Sequence, residues 1–324
     1  MDKNPKSVNQ INIQKFIYIL LGISFVVIIF NSYNFIQERS PNQYSDWLIN
    51  YQGGFVRRGL AGEVLFQLYN LLKIPLDSLV LTLIIFLYSV FYFLLFKIIK
   101  KIKFNFITLL TILSPLSFLY PVMEQKISGR KDILFLAFVL IVIHFIKNFN
   151  FKNQKFFLFL VFLITTFTHS GFIFYTPYLV TIFILTNIKR NFKELTLELF
   201  WIGSSLIFIT LVILNYSSIT PNSVEMLCQS IQEFLPNCGK LDYLESLTWS
   251  LSYEKSLVNT IWTREGYQLF YLISFVLAFG PLGYLLNISE FNEKKIKNFS
   301  PLLIFSLLIL FTFPVYYIGA DFGR

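Results

Sequence analysis

SDWLINYQGGFVRRGLAGEVLFQLYNLLK, residues 45–73, holds most of the chemistry in a chain that otherwise reads as apolar segments joined by lysine-rich turns. It opens on a carboxylate and an aromatic ring, Asp46 and Trp47. It then passes through Gly53-Gly54, where backbone can approach a neighbour closely, and reaches the pair Arg57-Arg58. From Leu60 the pattern turns helical: Glu63, Gln67 and Asn70 recur on one side, and Val64, Leu65, Leu68, Leu71 and Leu72 fill the other. The spacing predicts a short amphipathic helix lying in a membrane interface. Pro75 ends it, because the residue before a proline is pushed out of helical geometry.

Working outward, hydrophobic residues fill 55% of 324 positions and charged residues only 14%, with 39 Phe and 18 Tyr. That is too apolar for a soluble domain of this size. The expected fold class is all-α: a polytopic helical membrane protein forming one integral domain over 1–324. Crossing about 30 Å of hydrocarbon takes roughly 20 apolar residues. About nine runs approach that requirement: 16–31, 76–96, 105–122, 132–147, 155–169, 171–188, 195–216, 267–288 and 300–320. The short runs 155–169 and 171–188 meet at Thr168-His169-Ser170-Gly171. That turn is expected below the surface, buried in protein or lining a wet cavity. Behind Lys3, Lys6 and Lys15 the first run has no small-residue cleavage site, so it reads as an anchor rather than a removed signal.

Lysine placement orients the chain. With the N-terminus cytoplasmic, the clusters at Lys97–Lys103, Lys147–Lys155, Lys189–Lys193 and Lys294–Lys297 all fall inside, and most acids fall outside. The net charge of +9 is then a topology signal, and no nucleic acid is needed as a partner. Loops 32–75, 121–131 and 217–265 and the end at Arg324 face out. Loop 217–265 is too small for an independent catalytic domain and reads as a cap. Its Cys228 and Cys238 lie in a compartment where disulfides persist and are expected to pair. The stop at Arg324 without a polar tail reads as that of a truncated product.

The expected outer face sets Asp46, Glu63, Glu124, Asp132 and Asp321 beside Arg57, Arg58, Arg130, Lys131 and Arg324. Carboxylates can take a proton from an attacking hydroxyl, and guanidinium groups bind phosphate bidentately. The two histidines, His144 and His169, have no metal-ligand spacing, and no Walker or dinucleotide glycine pattern occurs, so no metal and no cofactor are expected. A phosphate on this side of a membrane is expected to be lipid-linked. Plainer readings stand beside these. Ser128–Asp132 is either a helix N-terminal cap or a second cationic wall facing Arg57 and Arg58. The arginines could snorkel to headgroups, Asp46-Trp47 could be an interfacial turn, and His169 a packing residue. Their shared sidedness favours the functional reading for the group.

Four stretches carry a resemblance: Gly53–Gly59, Gly129-Arg130-Lys131-Asp132, Thr168-His169-Ser170-Gly171 and Asp321-Phe322-Gly323-Arg324. They look like landmarks of multi-spanning proteins from bacterial surface-polysaccharide clusters, similar in layout to lipid-carrier-dependent (GT-C type) glycosyltransferases and to O-antigen polymerases. The transferase resemblance implies an acidic catalytic base in the first outer loop, a place that Asp46 matches, and a lone Asp46 stands where an acidic pair is often seen. The polymerase resemblance implies working arginines in outer loops, which Arg57, Arg58 and Arg264 match. Arg130, Lys131, Asp132, Glu63, His169, Asp321 and Arg324 join them as substrate- or phosphate-binding candidates. The implied setting is the bacterial cytoplasmic membrane. Its implied partners are a polyprenyl-phosphate-linked sugar, membrane lipids and other polysaccharide-assembly proteins. Transport of lipid-linked sugars ranks third, because the segment centres carry no charge and no halves repeat.

Overall fold

Helix boundaries in this chain follow local chemistry closely, and the ends of the helices then define where the polar residues meet. A computed structural model describes residues 8–187, except 41–42, 57, 103, 114–117, 124 and 126–127, together with 220–238 and isolated positions at 202–204, 207–209, 211–212, 244, 256 and 260. Every element among the described residues is helical. Helix α1 (Val8–Gln37) and α4 (Leu76–Ile99) bracket a loop that contains the short α2 (Tyr44–Leu48) and α3 (Leu60–Leu72). Then come α5 (Phe106–Ile112), α6 (Tyr120–Met123), α7 (Asp132–Phe145) and α8 (Phe151–Thr168). A 3-10 turn (Ser170–Tyr175) leads into α9 (Thr176–Thr186), and α10 (Pro221–Ser230) stands further along the chain.

Two helices, Ile11–Gln37 and Leu76–Ile99, are long and apolar enough to cross a membrane. They run antiparallel: Tyr18 packs on Phe96 with centroids 4.4 Å apart, Phe25 meets Tyr92 edge-on, and Gln14 donates to the Lys100 carbonyl at 3.2 Å. One side of α1 buries Ile17, Leu21 and Ile28, while Phe16, Ile19, Ile23, Val26 and Phe30 are each more than half exposed. An outer face so apolar belongs in lipid rather than water. On the packed side the hydroxyls are satisfied within the helix: buried Ser24 donates back to the Leu20 carbonyl at 2.7 Å and buried Ser32 to that of Ile28.

Several expected segments appear in altered form. The run 105–122 is not one helix. An Asn105–Thr108 capping box starts α5, which stops at Ile112, three residues before Pro115; Phe118 and Leu119 are in a turn, and α6 begins at Tyr120. Run 132–147 is α7 extended by a 3-10 turn, run 155–169 falls in α8 up to Thr168 with His169 as its C-cap, and run 171–188 is split between the 3-10 turn and α9. Runs 267–288 and 300–320 lie outside the described residues, as does most of 195–216.

The expected amphipathic helix is α3, but its apolar side is divided. Ala61, Gly62 and Leu65 pack inward, whereas Val64, Leu71 and Leu72 point away from the protein. Lys73, in the left-handed region at φ 58°, closes the helix by donating its N–H to the Tyr69 carbonyl.

Candidate functional site

The site begins with the way loop 38–59 and segment 118–131 are drawn inside the helix ends. Trp47, fully buried, donates its indole N–H to the Gly129 carbonyl at 2.6 Å. A side chain on Gly129 would meet Gln43, so the glycine permits that approach. Ser128 is the neighbouring anchor. Its carbonyl accepts from Tyr88 Oη at 2.8 Å and from Ser32 Oγ at 3.1 Å. Ser32 lies in the last turns of α1 and Tyr88 near the middle of α4. Ser32 lies five residues, about 7.5 Å, before the end of α1 and Tyr88 twelve residues, about 18 Å, past the start of α4, so the Ser128 carbonyl sits inside the ends of both helices. Non-helical backbone at such depth needs partners, and these two hydroxyls supply them.

Next to that anchor is Lys131, completely buried just before α7. Its ammonium lies 3.6 Å from Asp46 Oδ1, donates to the Arg58 carbonyl at 2.9 Å and reaches the Thr168 carbonyl at 3.5 Å. The Trp47 ring is 6.0 Å away. Four separate stretches (α2, the arginine turn, the start of α7 and the end of α8) thus converge on one cation. Burial lowers the lysine below its usual value, to about 8, with Arg58 pushing the same way and Asp46 opposing. Asp46 is only 2% exposed.

Arg58 is half-buried over this pair, and Arg57 lies outside the described residues. Arg130 forms an ion pair with Asp132 at 3.1 Å, which puts the acid in the first turn of α7, where the helix dipole favours it. His169 caps the end of α8. Its Nδ1 accepts the Gly171 N–H at 3.2 Å and its ring leans on Phe172. That bond leaves the proton of the neutral ring on Nε2. Glu63 faces the loop: its carboxylate accepts from the Tyr51 N–H at 2.9 Å, from Gln52 Nε2 and from Gln67 Nε2 at 2.7 Å. Burial alone would raise its pKa, but these three bonds outweigh that and hold it below the usual carboxylate range. Of the expected site residues, Asp46, Arg58, Lys131 and the end of α8 come together. Glu63 and the Arg130–Asp132 pair serve their own local networks, and Asp321 and Arg324 lie outside the described residues.

Segment 220–238 lies directly against this loop. Cys228 and Cys238 are bonded, with Cα atoms 5.4 Å apart. Helix α10 presses on Gly53 so closely that a Cβ there would fall 1.9 Å from the Ser223 carbonyl oxygen. Asn50 donates to Ser230 Oγ at 3.0 Å, Tyr69 Oη to Glu233 at 3.1 Å, and the Phe234 ring meets Tyr69 edge-on. Sequence reasoning anticipated that Gly53 serves a close approach but not what approaches. It also passed over Tyr88, whose only signal was a hydroxyl inside an otherwise apolar run, and Ser32, which falls just past the end of the first run.

Among the described residues no three His, Cys, Asp or Glu side chains gather into a metal-binding group. Comparison of the chain with protein-family models, curated proteins and solved structures returns no match.

Proposed function

We propose that this chain is a multi-spanning glycosyltransferase of the bacterial cytoplasmic membrane. In this reading about nine segments cross the bilayer, the N-terminus is cytoplasmic, and the outer face handles a polyprenyl-phosphate-linked sugar during surface-polysaccharide assembly. Loop 217–265 is a disulfide-pinned cap over loop 32–75. The observation that carries it is the buried ion pair Asp46–Lys131, which joins α2 to the start of α7 inside the ends of helices whose outer faces suit lipid. Charges at such depth are expensive and tend to mark function. In this reading Asp46, paired with Lys131 at 3.6 Å, is the general base, and Arg58, with Arg57 beside it in sequence, supplies a guanidinium for a carrier phosphate.

The experiment separates chemistry from architecture. Asp46→Asn combined with Lys131→Met removes the pair without stranding either charge. It should insert normally yet lower transfer by about 10²–10⁴, the usual worth of a positioned base. Normal polysaccharide in a strain carrying only this variant sinks the transferase reading.

One observation favours an O-antigen or capsule polymerase instead: Asp46 is engaged and enclosed, whereas Arg58 is the more accessible group. Arg57→Lys with Arg58→Lys distinguishes the two readings. A lysine cannot replace a bidentate fork, so either enzyme should fail. A failed transferase accumulates lipid-linked units short of one sugar; a failed polymerase accumulates complete single units that are never joined. Normal polymer from this variant returns both arginines to the role of interface anchors.

A further inference from the structure

Lysine 131 was expected to face a phosphate, but its ammonium is spent on the protein itself. An ammonium has three donors, and here three oxygens surround it: Asp46 Oδ1, the Arg58 carbonyl and the Thr168 carbonyl. No part of the side chain is exposed. The carbonyl held most closely, at 2.9 Å, is that of Arg58. Beside it Gly59 donates to the Val56 carbonyl at 3.3 Å, and α3 begins immediately afterwards.

We infer that Lys131 is a positioning residue whose ammonium, clasped between Asp46 and the Arg58 and Thr168 carbonyls, seats the arginine turn against the end of α8. What the seated arginine serves rests on the proposed function; the seating itself does not. It also gives a reason for a charge in this place. A neutral amide could bridge two of these oxygens, but only a cation on a long flexible stem meets a carboxylate and two carbonyls from distant segments at once. The charged and titratable groups around the ammonium are Asp46 on α2, Arg58 on the turn, Arg130 and Asp132 on its own segment, Tyr88 on α4 and His169 at the end of α8.

Limited trypsin digestion of the detergent-purified full chain tests this, with cleavage after Arg58 normalised to cleavage after the exposed Lys101. Cleavage of a folded turn tracks how often it opens. Losing charged hydrogen bonds should raise the rate after Arg58 by about ten- to a hundredfold in Lys131→Met. The Asp46→Asn/Lys131→Met variant lacks the ammonium without leaving a bare carboxylate, so it carries the comparison if the single variant does not fold, and it should show the same selective rise. A normalised rate equal in wild type and variants overturns the inference. The two proposals can fail separately. If Arg58 is freed in these variants but polysaccharide is unchanged in the Asp46→Asn/Lys131→Met strain, the seating stands and glycosyl transfer falls. If polysaccharide is lost while cleavage after Arg58 stays put, the opposite holds.

Discussion

The two ends of the helix bundle tie themselves together in different ways. At the lysine-rich end, neutral amides do the work. Gln14 donates to the Lys100 carbonyl at 3.2 Å, Gln154 to that of Ile146 at 3.0 Å, and Asn187 to Gln154 Oε1 at 2.7 Å. The lysines there stay at the surface, as Lys97 does with its ammonium 4.2 Å over the Phe93 ring. At the opposite end neutral donors such as Trp47 and Tyr88 are joined by a buried ion pair. Amides satisfy buried carbonyls without the desolvation cost of a charge, so architecture alone does not call for Asp46 and Lys131. That contrast between the ends supports the proposed reading of the Asp46 end as the working one.

The largest effect that could break this contrast comes from stranding one partner. Lys131→Met should destabilise the chain by about 3–5 kcal/mol, because Asp46 is left buried and uncompensated. Adding Asp46→Asn should recover most of that loss. Fluorescence-detected thermal unfolding of the purified proteins in detergent gives the comparison. A single variant as stable as the double would mean that the pair is solvated and the two ends are alike. At the other end Asn187→Leu should cost less, about 1–3 kcal/mol, from the Gln154 oxygen left without its donor. A larger loss here than at Lys131 would reverse the ranking of the ends.

A smaller effect sharpens the picture within the site end. Glu63 has its pKa held down in the folded chain, so its bonds contribute stability above the ordinary glutamate range and lose it as pH falls through the lowered folded value. At neutral pH Glu63→Gln should cost about 1 kcal/mol, and the difference from wild type should vanish in acid. A difference independent of pH between 7 and 3 would show that the carboxylate's charge is not what holds Tyr51 and Gln52 to α3.

Much of this was legible in the chain because it is local. Pro75 and the 3.6-residue period marked α3 and its end, and the short turn expected at Thr168–Gly171 is where α8 stops and His169 caps it. Other readings failed for a physical reason. Run 105–122 is mostly apolar, and apolarity over some 18 residues suggests one span. The Asn105 cap starts a helix that ends at Ile112, three residues before Pro115, so cap and proline rather than overall composition mark it. The division of α3 into a packed half and an outward half could not be read from its period, which reports that a face is apolar and not what covers it.

By itself, then, the sequence determined a helical chain, the end of α3, the turn after α8, a chemically loaded first loop and a pair of cysteines able to bond, since propensity, proline geometry and hydrophobic period act over a few residues. Only the tertiary structure decided that Lys131 answers to Asp46, 85 positions earlier, rather than to a ligand. Likewise, Gly53 receives α10, and Tyr88 and Ser32 hold the Ser128 carbonyl inside the helix ends. Those partners are chosen by how whole segments pack. A buried charge takes whichever oxygens that packing brings within about 3–4 Å, a distance no spacing along the chain encodes.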